Sequence, residues 1–95
     1  MDYNISRNLS CDFDTAVDRI TLSLKNEGFG ILTQIDLQKV FKDKLNKDFK
    51  KYLVLGACHP EFAFNAIKKE EDIGLILPCK LAVQYVSDNE TRLVA

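Results

Sequence analysis

The residues of this chain best suited to chemistry lie together in Gly56-Ala57-Cys58-His59-Pro60, where an apolar stretch ends and a helix is predicted to begin. The first amide groups of a helix are unpaired and carry a partial positive charge, which stabilises a thiolate or a bound anion. Cys58 is therefore a candidate nucleophile, and His59 is a candidate metal ligand. A structural interpretation stays open beside this one, because free cysteine is often buried and His59 can simply cap the helix.

A second thiol, Cys79, follows Pro78 at the end of the other strongly apolar segment. If Cys79 reaches the same edge of a sheet as Cys58, two thiols with His59 nearby suit a soft metal or a reversible redox pair. The chain has no Cys-x-x-Cys spacing and only one histidine, whereas a closed zinc site needs four ligands. The sequence therefore requires no cofactor, and the candidate metal ligands are limited to Cys58, Cys79 and His59.

The elements that must position these residues alternate along the chain. Apolar periodicity predicts strands at 2–9, 29–35, 52–55, 81–85 and 91–94, and helices that begin at Phe13, Leu37 and Pro60. Asp12 and Asp36 are placed to cap the first two helices, and Gly28 is placed to end the first. The third helix is expected to bury Phe62, Ala63, Ala66 and Ile67, and residues 73–77 are expected to form a buried, extended passage.

The order β-α-β-α-β-α-β-β predicts an α+β or α/β fold. We expect a two-layer sandwich in which two or three helices lie on a mixed sheet of four or five strands. The unbroken apolar run from Tyr52 to Leu55 is typical of a central strand covered on both faces. Leu22 and Phe64 fall off the apolar stripes of their helices, so both are candidate interface residues.

Length and charge exclude several functional classes. The 95 residues are expected to form a single domain, 1–95, and they include 13 basic and 14 acidic side chains, with a net charge of −1. Such a chain lacks the positive field that attracts nucleic acid or anionic membranes, and no apolar stretch approaches the roughly 18 residues of a membrane span. Three cysteines, an odd number, favour reduced thiols and the cytoplasm. No phosphate-binding, dinucleotide-binding or serine-hydrolase motif is present.

Two motifs carry a resemblance to a known family: Gly56-Ala57-Cys58-x-Pro60, and Ile73-Gly74-Leu75-x-Leu77-Pro78-Cys79 after an alanine-containing helix. In this order and spacing they resemble the family catalogued as domain of unknown function 302, and the likeness extends upstream to residues 27–31 and to Ile35-Asp36. The resemblance implies a small α/β fold that pairs as a homodimer, with signature positions at Cys58, Pro60, Pro78, Cys79 and Asp36. It implies no activity. His59 departs from the pattern, since members often carry Asn there.

These features predict a homodimeric ligand-binding or sensing module with a thiol-lined pocket, and they favour a domain that is not an enzyme. The residues expected to line the pocket are Cys58, Cys79, His59, Asp36, Pro60 and Pro78. The expected partners are a second copy and either a small ligand or a soft metal. One alternative is a thiol-dependent redox protein or enzyme with Cys58 as nucleophile, and another is a structural domain with both thiols in its core.

Overall fold

The computed structural model describes residues 5–77 and 79–95. The helices are α1 (Phe13–Asn26), α2 (Leu37–Leu45) and α3 (Pro60–Lys69), followed by a short 3₁₀ helix (Glu71–Ile76). The strands are β1 (Ser6–Leu9), β2 (Gly30–Asp36), β3 (Tyr52–Cys58), β4 (Cys79–Ser87) and β5 (Glu90–Val94). The predicted element order and α+β class are confirmed, with three helices and five strands.

The five strands form one sheet in the order β1-β5-β4-β3-β2, and every strand pair in the described part of the chain is antiparallel. The expectation of mixed strand directions is therefore corrected. Parallel neighbours require a connection that crosses the length of the sheet. Here α2 and its following loop return the chain to the end of the sheet that it left, where Asp36 pairs with Leu53.

One face of the sheet packs against α1 and forms the core. Phe13, Ala16 and Ile20 of this helix are buried, and Leu55 and Val83 meet them from the two central strands. Both strand residues are fully buried, and each such side chain stabilises the fold by about 2 kcal/mol. The amphipathic stripe predicted for the first helix is therefore confirmed, together with Gly28, whose φ of 89° gives the left-handed exit from α1.

The opposite face of the sheet is only half-covered. The strand register places Val54, Ala82 and Val94 side by side on this face, and all three are half-buried. Ile35, which pairs with Val54, is 46% exposed. The expectation that the strand at 52–55 is covered on both faces therefore holds only on the side of α1.

The segment from α3 to the 3₁₀ helix lies nearer the surface than predicted. No residue of α3 is buried, and Phe62 of its expected buried stripe is 68% exposed. α3 contacts mainly the 3₁₀ helix that follows it, so the sheet covers little of its apolar side. Residues 73–76 are not extended, because local bonds such as Ile73 N–H to the Glu70 carbonyl close 3₁₀ turns and leave Leu75 90% exposed, and the predicted extended backbone is found at Leu77.

The whole chain is open for its size. A compact domain of 95 residues has a radius of gyration of about 12 Å, whereas the Cα radius of gyration here is 14.9 Å. Among the described residues, no helix combines the length and apolar character needed to cross a membrane.

Candidate functional site

His59 caps α3, as the structural interpretation of this residue expects. Its Nδ1 accepts a hydrogen bond from the backbone N–H of Phe62 at 3.4 Å, and its carbonyl accepts from the Ala63 N–H at 2.9 Å. The imidazole also packs edge to face on Phe29, with ring centroids 5.4 Å apart, and lies 4.4 Å from the Phe62 ring. Because Nδ1 accepts the hydrogen bond from Phe62, a neutral imidazole carries its hydrogen on Nε2, so neither ring nitrogen offers a free lone pair to a metal while the cap is formed.

Gly28 provides the space that His59 occupies. A Cβ added at Gly28 would lie 2.8 Å from Nε2 of His59, closer than real Cβ contacts allow. The positive φ of Gly28 independently favours glycine. The end of α1 and the start of α3 are thus fitted to each other through this glycine and this imidazole.

The two signature cysteines lie at one edge of the sheet but on opposite faces. Cys79 pairs with Ala57, whereas Cys58 is the next residue of β3 and pairs with Gly30. Paired residues share a face and successive residues alternate, so the register turns Cys58 and Cys79 away from each other. Cys58 and Cys79 lie at the same edge of the sheet, as expected. Within one chain, however, their side chains do not line a common pocket.

The surroundings of the cysteines also differ. Cys79 is exposed, while Cys58 and Cys11 are half-buried, and all three are free thiols. In the part of the chain that the structure describes, no three His, Cys, Asp or Glu side chains converge as metal ligands. Pro60 lies at the exposed first position of α3, and Pro78 lies outside the described residues.

Asp36 lines a cavity at the other end of the sheet. Its Oδ1 accepts a hydrogen bond from the Lys39 N–H at 3.0 Å, which confirms the predicted cap of α2. The cavity, of about 320 Å³, lies between α1 and the residues where β2 gives way to α2 and β3 begins. The residues that line this space, called the Asp36 cavity below, are Phe13, Asp14, Val17, Asp18, Asp36, Gln38, Lys51, Tyr52 and Leu53.

The Asp36 cavity combines an apolar floor with a charged rim. Phe13, Val17 and Leu53 form the apolar part. The rim carries three carboxylates and one ammonium group, and the ammonium of Lys51 lies 3.8 Å from Asp14 and 5.8 Å from the centroid of the Phe13 ring. The rim is therefore net negative.

Sequence reasoning found Asp36 but missed the other charged residues of this cavity. Asp14 and Asp18 are spaced four residues apart on α1, which puts them on one helix face, and that spacing was the available signal. Lys51 and Asp36 come from different strand ends, and only the antiparallel return of the chain brings them beside α1.

Comparison with known proteins decides the family. The family model described as domain of unknown function DUF302 matches residues 5–95. The chain belongs to the DUF302 family. The crystal structure of an uncharacterized conserved DUF302 protein from Bacillus stearothermophilus is similar to this DUF302 domain, with 28% sequence identity and a TM-score of 0.87. The match covers 99% of this chain and 73% of that one. No curated protein matches the chain.

Proposed function

We propose that this DUF302 domain is a homodimeric module that binds a small ligand in the Asp36 cavity. The observation that carries the binding role is the combination of an apolar floor and a charged rim around a half-open space of about 320 Å³. This volume falls at the lower end of the range of about 300–1,000 Å³ that is typical of small-molecule sites. A thiol-lined pocket has less support, because the register separates Cys58 from Cys79.

The rim indicates the class of ligand. Three carboxylates, from Asp14, Asp18 and Asp36, face one ammonium group, from Lys51. A small molecule with a positively charged amine and an apolar body complements both parts of the cavity, since the amine meets carboxylates while the body covers the floor. An anionic ligand would instead meet an excess of like charge.

The test uses phenethylamine as the probe and phenylacetate as its oppositely charged counterpart, with binding followed by amide chemical shifts in NMR titrations. We expect phenethylamine to shift the resonances of Phe13, Val17 and Lys51, and phenylacetate to leave them unchanged. Asp36→Asn should weaken amine binding about threefold to fivefold, as expected for a partly exposed charge pair worth up to about 1 kcal/mol. Because Asn caps helices as well as Asp does, this variant keeps α2 intact.

Glu61→Gln is the matched control for this test, because Glu61 lies on α3 away from the cavity and the substitution also removes one carboxylate. We expect this variant to bind the amine as the wild type does. Equal shifts with both probes, or no shift with either, would contradict the proposed site and ligand class.

The homodimer is supported by the surface of the chain. A compact monomer of 10.8 kDa exposes about 5,500 Å², whereas this chain exposes 7148 Å². The difference, about 1,600 Å², exceeds the roughly 800 Å² that each partner covers in a standard interface. Phe64 is 67% exposed on α3, and Leu75 is 90% exposed on the 3₁₀ helix that contacts α3. Leu22, the other candidate interface residue, is 58% exposed but is surrounded on α1 by polar residues.

A thiol-dependent reaction at Cys58 is the second candidate function. Its support is the position of Cys58 immediately before the cap of α3, near the first amides of that helix. Three free thiols also suit a reducing compartment such as the cytoplasm. The rate of iodoacetamide alkylation against pH tests this candidate. A midpoint well below the ordinary thiol value of about 8.5 supports it, and a midpoint at that value contradicts it.

A further inference from the structure

The two helical connections at the two ends of β3 have opposite net charge. Residues 37–51, which contain α2 and its loop, carry six lysines and two aspartates. Residues 60–77, which contain α3 and the 3₁₀ helix, carry four carboxylates and two lysines. We call the first segment the basic end and the second the acidic end.

Several charges on each end have no partner within the described chain. Lys39 and Lys42 form ion pairs with Asp43 and Asp48, at 3.0 and 3.2 Å. Lys51 of the basic end lies 3.8 Å from Asp14 of α1. The other exposed charges of the two ends are in no such pair among the residues the structure describes: Lys44, Lys47 and Lys50 on the basic end, and Glu61, Lys68, Lys69, Glu70, Glu71 and Asp72 on the acidic end. On the acidic end, Lys68 lies over the ring of Phe64, 5.9 Å from its centroid.

Both ends also carry exposed apolar surface. On the basic end, Phe41, Leu45 and Phe49 line a groove of about 240 Å³ whose edge carries Lys47 and Asp48. On the acidic end, Phe64 and Leu75 are 67% and 90% exposed. One end thus offers an apolar recess and the other offers projecting apolar side chains.

The placement of the ends allows both contacts to form at once. The basic end joins β2 to β3 beside Asp36 and Tyr52, and the acidic end joins β3 to β4 beside Cys58 and Cys79. The two ends are therefore separated by the length of β3, about 20 Å. A two-fold axis that passes midway between the two ends would set the basic end of each copy against the acidic end of the other. A self-complementary interface requires this arrangement.

We infer that the occupant of this surface is a second copy of the chain, bound so that the acidic end of each copy seats on the basic end of its partner. Phe64 and Leu75 enter the partner's apolar groove, while the acidic run meets the partner's unpaired lysines. This inference rests on the proposed homodimer and adds its geometry. The unusually large exposed area of the single chain supports a partner of this kind.

Charge reversal tests the inference with two variants of the full chain. Lys44→Glu, Lys47→Glu and Lys50→Glu together change the net charge of the basic end from +4 to −2, and Glu71→Lys with Asp72→Lys changes that of the acidic end from −2 to +2. Each variant alone places like charges at both contacts of its own dimer. We expect sedimentation velocity to give a dimer dissociation constant at least tenfold above that of the wild type for each, with far-UV circular dichroism confirming that both fold.

An equimolar mixture of the two variants restores opposite charges at both contacts of the heterodimer. We therefore expect native mass spectrometry of the mixture to be dominated by the species with one copy of each. Carbodiimide cross-linking of a mixture of ¹⁵N-labelled and unlabelled wild type should join Lys47 or Lys50 of one copy to Glu71 or Asp72 of the other. The control is Arg19→Glu with Lys25→Glu on the outer face of α1, which should dimerise as the wild type does.

The outcomes separate this geometry from the homodimer itself. Dimers of wild-type strength in both variants would overturn the geometry and leave the homodimer standing, as would weakening by the α1 control alone. A mixture that stays monomeric would also overturn the geometry, because complementary charges would then have failed to restore it. A wild type that is monomeric at all concentrations would overturn both proposals.

Discussion

At the scale of single residues, the alternation of side chains between the two faces of the sheet decides whether Cys58 and Cys79 can meet. Cys79 stands opposite Ala57 and not opposite Cys58, so a difference of one position sends the two side chains to different faces. A disulfide needs two Cβ vectors that point toward each other. Cys58 and Cys79 of one chain are thus neighbours in the sheet that cannot act as a pair.

Oxidation of the protein tests this separation. After treatment with a mild oxidant, we expect the monomer to retain three thiols that maleimide modifies, because no two cysteines of the chain form a bridge. Under native conditions Cys79 should react first, since Cys79 is exposed whereas Cys58 and Cys11 are half-buried. Peptide mapping by mass spectrometry gives both results. A Cys58–Cys79 bridge within one chain would contradict the register.

At the scale of elements, the three helix starts were predicted correctly, whereas the strand directions, the exposure of α3 and the 3₁₀ turns at 73–76 were not. Asp36 caps α2 and Pro60 opens α3, as predicted, because capping depends on a few adjacent residues. The antiparallel direction of β2 and β3 depends on where the loop after α2 returns the chain. The exposure of α3 likewise depends on which element lies beside it, and apolar spacing alone does not specify that neighbour.

The contact between Gly28 and His59 couples two elements and is expected to contribute to stability. Gly28→Ala should lower the free energy of unfolding by about 1–2 kcal/mol, because alanine is strained at positive φ and its Cβ also meets the imidazole. His59→Asn keeps a capping side chain at the start of α3 and removes the imidazole.

A double-mutant cycle separates the two costs of Gly28→Ala. In the His59→Asn background the steric part disappears, so the substitution should cost only the backbone strain, roughly 1 kcal/mol. Urea denaturation of the four proteins measures the coupling. Strictly additive effects would show that Gly28 and His59 do not constrain each other.

At the scale of the whole molecule, the exposed apolar residues are the part of the structure that bears on the proposed homodimer. Phe64 and Leu75 are both exposed on two elements that contact each other, α3 and the 3₁₀ helix, whereas Leu22 stands among polar residues of α1. The sequence identified Leu22 and Phe64 by the same criterion, their distance from the apolar stripe. Only the packing of the helices distinguishes an isolated leucine from a member of an apolar surface.

Phe64→Ser should therefore raise the dimer dissociation constant at least tenfold, a change of about 1.4 kcal/mol or more, since the side chain is proposed to enter the partner's groove. The substitution removes little from the folded monomer, where Phe64 is 67% exposed. Leu22→Ser is the matched control and should leave the constant unchanged. Sedimentation velocity across a concentration series measures both, and an effect of Leu22→Ser equal to that of Phe64→Ser would place the interface elsewhere.

The most direct test of the central claim, a homodimer that binds a small amine, is native mass spectrometry of the wild-type protein with phenethylamine added. We predict a dominant species of twice 10.8 kDa that carries up to two amine molecules, one in each Asp36 cavity, and that loses the amine preferentially when Asp36→Asn is introduced. A species of 10.8 kDa that binds no amine at any concentration would contradict the account.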